Sequence, residues 1–453
     1  MPVNPADGAV LGALYGTDAM RAAFGEDAYL QKMLDVEAAL ARAQAVLGII
    51  PKDAASTITR VARAEALDRP ALAAATRNTG YPVVGLVNQL SKLAGEEAGR
   101  WTHWGATTQD IMDSALVLQI RDGLALIEAD LRATIAGFAA MAEQHRATVM
   151  AGRTHLQHAL PVTFGYKVAV WVNPLITALE RLQQLRPRVL RLGFGGASGT
   201  LASLGDQGLP VARELARELD LIEADIPWHV ARDGVAEVAC WLGVLCGSLS
   251  KIGTDVMLMM QTELAEVAEP HVPKRGGSST MPQKRNPIAC EYILAQSRGV
   301  HALVPQMLAA MAHDLERGTG PWQAEALALP QAFLLTHGAV AQARFLAEGL
   351  QVDAARMRAN LDATQGMIMG EAVMMRLAPI LGRGEAHHKV NDACDAVRAE
   401  GITLAAALSR IPAIAARLDA AAVEAMTDPA SYLGSVNVFI DRVMGRAGMA
   451  LKG

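Results

Sequence analysis

Between Asp113 and about Arg146 the apolar residues Leu116, Ile120, Leu124, Ile127, Leu131, Ile135, Phe138 and Ala142 recur in steps of three and four without a break. That seam predicts one helix of roughly nine turns, against an average of about three turns in globular proteins. A second seam, within Gly234–Glu269, runs Val235, Val238, Leu242, Leu245, Leu249, Ile252, Val256 and Met259. Helices this long pack lengthwise into an elongated bundle. A third long stretch, Thr163 to Leu190, carries Pro174, where a kink or interruption is expected. A shorter helix is expected from Asp27 to Leu47, ended by Gly48 and Pro51. Gly193–Gly205 is too glycine-rich for either periodicity. It predicts a small hairpin or irregular excursion, and it lacks the spacing of a nucleotide cradle.

The bundle needs partners. Each long helix is apolar over a wide arc, with Trp241, Val244, Met257 and Met260 flanking the second seam. A lone antiparallel bundle would leave part of that arc in water, so a homo-oligomer built helix against helix is expected. At 453 residues the chain exceeds one compact core. A net charge of −5 without a long basic run argues against nucleic acid. No secretion signal is apparent at the N-terminus, and the most apolar stretch, 234–252, holds Glu237 and Lys251 and reads as a buried helix rather than a membrane span. Cys240, Cys246, Cys290 and Cys394 show no metal-like spacing and read as reduced core thiols in a cytoplasmic protein.

One segment cannot belong to the bundle. Residues 276–287 read Gly-Gly-Ser-Ser-Thr-Met-Pro-Gln-Lys-Arg-Asn-Pro. Two prolines fix φ and withhold donors, and two glycines free the backbone, so this is a loop. Serine, lysine and asparagine on one loop suit chemistry or anion binding, although a Gly/Ser linker ending in a basic patch has the same composition. Three further segments carry chemical residues. Trp101–Asp110 sets Thr107, Thr108 and Gln109 at a helix N-terminus, where a carboxylate is favoured; plain N-capping explains the same residues. Gly152–Thr163 clusters Thr154, His155, Gln157 and His158, which a turn network would also explain. His313–Arg317 supplies charges that could be only a solvated face.

Together these segments resemble the fumarase/aspartase superfamily, whose loop signature GSSxMPxKxNP is matched by residues 277–287. The segment His103–Asp110 and the pair Thr154-His155 fall in that superfamily's order. Gly195–Ala202, Pro227–His229 with Arg232-Asp233, and Met260–Glu263 look most like its bacterial 3-carboxy-cis,cis-muconate cycloisomerases, on the branch shared with adenylosuccinate lyases. The resemblance implies an all-α, three-domain subunit: 1–110, a central long-helix domain 111–358 holding the 270–290 loop, and 359–453. It also implies a homotetramer with a twenty-helix core and active sites drawn from three subunits. A small carboxylate substrate is implied, with neither metal nor organic cofactor.

The chemistry so implied is removal of a proton next to a carboxylate, which demands stabilisation of a doubly negative intermediate. Carried over by motif, Ser278 is the base, Ser279 its fallback, and Lys284 with Asn286 stabilises the charge. Thr107, Thr108 and Gln109 hold a substrate carboxylate. Thr154 and His155 orient substrate and serve the leaving group, His155 as acid or relay. Arg317, Arg232 and Gln157 bind remaining groups, and Met281 joins them on the loop. Position 283 is Gln, where cycloisomerases usually have His, and position 155 is His, where bacterial cycloisomerases can have Trp. A C–N lyase or epimerase acting on an N-substituted aspartate or iminodicarboxylate therefore stays open beside the cycloisomerase. So does a crystallin-like structural role, which would need none of the intact site residues.

Overall fold

The structure is a computed structural model and describes residues 4–452. Helices dominate it, as the seams predict. The longest are Thr108–Gln144, Phe164–Val189, Asp233–Met259, Ile288–Ala309 and Pro321–Gly349. Strands among the described residues form two small antiparallel pairs. One is a hairpin of β1 (Val149–Thr154) and β2 (Gln157–Thr163); the other joins β3 (Val267–Ala268) to β4 (Gln351–Val352). The chain divides into two compact units, one of residues 1–130, 178–249 and 292–341, the other of 131–177, 250–291 and 342–453. Each of the five long helices gives a segment to both.

The first unit packs a core from Glu26–Val46, Lys52–Val61, Gly208–Leu219 and the start of Thr108–Gln144. Burying one Leu or Ile side chain stabilises by about 1.5–3 kcal/mol, and Leu34, Leu40, Ile58, Leu86, Leu90 and Ile111 are all fully buried here. Close approach is built into the sequence at Gly123, where an added Cβ would come within 2.9 Å of Phe24 and Phe333 ring atoms. Those rings stack, 4.8 Å apart. The second unit holds a core of Leu361–Val423 residues to which Ala151 adds. In that unit Trp171 packs edge-on against Phe138 and Phe164 and donates to Asp255 at 2.8 Å.

Four expectations are corrected. The first long helix begins at Thr108 rather than near Asp113, because Asp110 turns back to accept the N–H of Thr107 at 2.9 Å. That is half of a capping box with Thr107 as N-cap. The second ends at Met259, ten residues before Glu269. Ala265 takes a positive φ, Glu266 bonds back to the Met259 carbonyl, and the buried Glu266 carboxylate turns aside to meet Arg153. The third is not interrupted at Pro174. The carbonyl that Pro174 fails to engage belongs to Val170, whose side chain is well exposed, so water can satisfy it. Trp241 is no interface residue: it is buried and donates to the Ala178 carbonyl, whereas Val244 beside it remains half exposed. Residues 193–205 form the expected irregular excursion, with positive φ at Gly196, Gly199, Leu201 and Gly205.

Asp233–Met259 is long and apolar enough to cross a membrane, but 61% of its most apolar window is buried in the protein, as befits a core helix.

Candidate active site

In the first unit, the end of the Trp101–Asp110 segment is tied down by one carboxylate. Asp110 is fully buried. It accepts the N–H of Thr107 at 2.9 Å, of Gly195 at 2.8 Å and of Gly196 at 3.0 Å, and the His229 ring nitrogen Nε2 lies 2.8 Å away. The glycines are needed there: a Cβ on Gly195 would come within 2.7 Å of Pro227. Thr107 and Thr108 stay half-buried at the helix N-terminus, where amide dipoles favour an anion.

Gln109 and Arg232 depart from their sequence-derived roles. The Gln109 amide is wholly engaged. Its Nε2 donates to Asp113 at 3.0 Å and to the His229 carbonyl at 2.8 Å, and its Oε1 accepts from Arg317 at 2.8 Å. It therefore positions Arg317 rather than holding a carboxylate itself. Arg232 is only 2% exposed and is filled by two internal carboxylates, Asp113 at 2.7 and 3.1 Å and Glu325 at 2.8 and 2.5 Å. Its guanidinium also lies over the Trp228 ring. Burial pushes the Glu325 carboxyl above its usual range, and Arg232 pulls it back only in part. A guanidinium so enclosed cannot reach substrate. Arg317, by contrast, is half-buried and spans Gln109 and the Ala197 carbonyl.

His103 opens the His103–Asp110 segment and is anchored through both its backbone and its ring. Glu37, buried, accepts from its backbone N–H at 3.1 Å and sits 2.6 Å from its Nδ1, fixing a residue whose φ is +58°. Burial lowers the imidazole pKa, but the charge and hydrogen bond of Glu37 outweigh it and leave the value raised above 6.5. A raised folded-state value adds stability that is full below the ordinary value and fades as pH climbs through the raised one. The stability difference between wild type and Glu37→Gln should therefore shrink from pH 6 to pH 9, as urea titrations at each pH would register.

The second unit holds the other candidates. Thr154, His155 and Gln157 lie at the exposed tip of the β1–β2 hairpin, so the Gly152–Thr163 cluster is a strand pair rather than a turn network. Its two-residue turn is His155-Leu156, with φ of +50° and +63°. Positive φ at both central positions is the signature of a type I′ turn, which sequences normally fill with Asn-Gly. Leucine there costs roughly 1–2 kcal/mol, and Leu156 is 74% exposed, so nothing within the chain repays it. Leu156→Gly should stabilise the fold by about 1 kcal/mol, readable as a higher denaturation midpoint. Below the tip, Arg153 is clamped bidentately by Glu266 at 2.9 and 2.7 Å, and Asn360 donates to the same carboxylate. His158, whose Nδ1 is buried without a hydrogen-bond partner, is held below its ordinary pKa by burial and by the Arg153 charge.

The 276–287 loop is stapled at its neck. Gly277 and Arg285 form an antiparallel bridge, the Asn286 N–H bonds the Gly276 carbonyl at 2.8 Å, and Gly276 takes φ +69°. Arg285 reaches the Glu269 carbonyl and the Gln351 side chain. The buried Glu269 carboxylate caps the helix that follows, accepting the N–H groups of Ala289 and Cys290. Within the loop, Ser278 Oγ accepts the N–H groups of Thr280 at 3.2 Å and Met281 at 3.1 Å. Two donors aimed at one hydroxyl oxygen favour its deprotonated form. Met281, Gln283, Lys284 and Asn286 line an open cleft of about 920 Å³ with Gln261, Thr262 and residues 351–354. Ser278, Thr154, His155 and Gln157 lie outside that cleft, and Ser279 is exposed. Glu37, Glu266 and Glu269 escaped sequence reading because a lone glutamate in a helical or apolar context carries no local signal.

Among the described residues no group of His, Cys, Asp and Glu could hold a metal ion. A mainly helical architecture with a stapled serine–lysine loop and an anchored threonine pair is that of a lyase. Residues 14–301 match the model of the family described as Lyase, and residues 366–443 that described as Adenylosuccinate lyase C-terminus. The chain belongs to this lyase family, within the fumarase/aspartase superfamily. A 3-carboxy-cis,cis-muconate cycloisomerase of Bradyrhizobium diazoefficiens is 46% identical, over 96% of this chain and 97% of that one. Among solved structures, the 3-carboxy-cis,cis-muconate lactonizing enzyme of Pseudomonas putida aligns at TM-score 0.93 with 44% identity, covering 98% of this chain and all of its own. A fumarate lyase of Mesorhizobium sp. BNC1 aligns at 0.89 with 50% identity, covering 95% and 98%.

Proposed function

We propose that this chain is a 3-carboxy-cis,cis-muconate cycloisomerase. The observation that carries the reading is near-full-length likeness to proteins of that activity, in fold and in sequence. In the lactone-forming direction a substrate carboxylate oxygen adds across a carbon–carbon double bond. The electron pair of that bond moves through the adjacent carbon onto its carboxylate, which takes the aci form, and Ser278 delivers a proton to that carbon. In the reverse direction the Ser278 oxygen takes that proton and the lactone carboxylate departs. The amides of Thr280 and Met281 keep the serine oxygen's charge acceptable in either sense. Lys284 and Asn286 balance the double negative charge, Thr107, Thr108 and Arg317 hold carboxylates, and Thr154 and His155 serve the carboxylate that adds or leaves. The half-exposed or exposed state of most of these groups in one chain fits completion of each site by other subunits of a homotetramer, as do the exposed Val170, Val244 and Leu308 on long helices. A soluble cytoplasmic enzyme follows from the same reading.

The test is an ultraviolet assay with 3-carboxy-cis,cis-muconate, with the lactone identified by NMR and adenylosuccinate, argininosuccinate, aspartate and iminodisuccinate run beside it. Saturable loss of the diene with lactone formation is expected. No reaction there, together with turnover of an amino- or iminodicarboxylate, would overturn the proposal.

A further inference from the structure

Many of the chain's arginines are ion-paired. Arg69 meets Asp27, Arg186 meets Glu128, Arg188 meets Glu237, Arg213 meets Glu223, Arg358 meets Asp362 and Arg398 meets Asp395. One groove of the first unit departs from this pattern. The helix Lys52–Val61 lines it with Lys52, Ser56, Thr59 and Arg60, and Arg63 follows just past the helix end. Lys52, Ser56, Thr59 and Arg60 recur at helical steps, so they fall on one face of the helix, and Arg63 joins them from extended backbone. Arg42, Ala45, Val46 and Ala55 add to the lining. The groove's single carboxylate, Glu218, is already spent on Arg42 at 2.6 Å. Among the described residues Lys52, Arg60 and Arg63 have no ion pair, and all three are exposed.

Self-repulsion makes such an arrangement unfavourable unless something else answers it. Lys52 and Arg60 stand about two turns apart on the helix and Arg63 follows it in extended backbone, so the three like charges meet around the groove rather than along one helix. In a protein of net charge −5, three unanswered cations around one concavity are a local inversion of the surface field. The concavity holds about 530 Å³, the size of a small-molecule site. Ser56 and Thr59 add neutral donors, Thr59 lying 3.4 Å from Arg42 Nη1. Arginine forks match the planar oxygens of carboxylate and phosphate alike.

We infer that this groove is a second ligand site, separate from the lyase machinery, for a small polyanion bearing two or more carboxylate or phosphate groups. None of its residues belongs to the candidate active site, so the inference does not depend on which carboxylate the enzyme converts.

Hydrogen-exchange mass spectrometry on the full chain locates binding where calorimetry alone would also count the active site. At low ionic strength, citrate or pyrophosphate should slow exchange in the 52–63 segment several-fold, and acetate at equal ionic strength should not. Protection by citrate alone or pyrophosphate alone would name the source as carboxylate or phosphate; by both, the shared polyanion. The exposed double variant Arg60→Ala/Arg63→Ala should lose at least tenfold in affinity at this segment while keeping its circular dichroism and its turnover. Lys52→Ala should lose less. Equal protection in wild type and double variant, protection by acetate, or none by either polyanion would overturn the site.

Discussion

Ser278→Ala should reduce kcat/KM for 3-carboxy-cis,cis-muconate by about 10²–10⁴-fold, the usual contribution of a positioned general acid or base. The protein itself should barely change. Ser278 is half-buried on the loop, and the amides of Thr280 and Met281 that it accepts are exposed enough to turn to water. A change in denaturation free energy above about 0.5 kcal/mol is therefore not expected. Because the residue is proposed to give or take the transferred proton, the loss should fall on kcat rather than on KM. Exchange of solvent deuterium into the product should disappear with it. Retention of a tenth or more of wild-type kcat would sink the assignment and move the proton to Ser279, testable in the matching alanine variant.

The second large effect concerns stability. Arg232→Leu should cost about 3–5 kcal/mol, the penalty for leaving buried carboxylates without their cation. Asp113 would keep the neutral donors Trp322 Nε1 at 3.1 Å and Gln109 Nε2 at 3.0 Å, and Glu325 would be left with the His313 ring, 3.8 Å away and held below its ordinary pKa by burial. Glu325, already raised by burial, would rise further and take up a proton, so the variant's deficit should be smaller at low pH than at pH 8. The double variant Arg232→Leu/Glu325→Leu should recover part of the loss. Urea titration across pH measures all three quantities. A single-variant cost below 1 kcal/mol would mean that the triad contributes little to the fold.

Legibility followed distance along the chain. The long seams and the proline-bracketed loop are local patterns, and the sequence carries them unaided. Asp113, Arg232 and Glu325 are separated by 119 and 93 residues, so nothing local tells a buried structural arginine from a substrate-binding one. The network around Gln109 is hidden for the same reason: its partners His229 and Arg317 lie far downstream. The hairpin at 149–163 was missed on different grounds. β1 reads Val-Met-Ala-Gly-Arg-Thr, poor in β-branched residues, and its turn lacks the glycine that advertises a hairpin. Helix ends were misplaced where a side chain, Asp110 or Glu266, diverts the backbone toward a remote partner.

The stapled neck of the 276–287 loop also bears on the cost of ordering it. A loop with free ends must lose translational freedom to gather itself over a ligand, but here the Gly277–Arg285 bridge has joined the ends beforehand. The loop therefore meets a ligand with its ends already gathered, so ordering what remains between them costs less conformational entropy than closing a free segment of the same length.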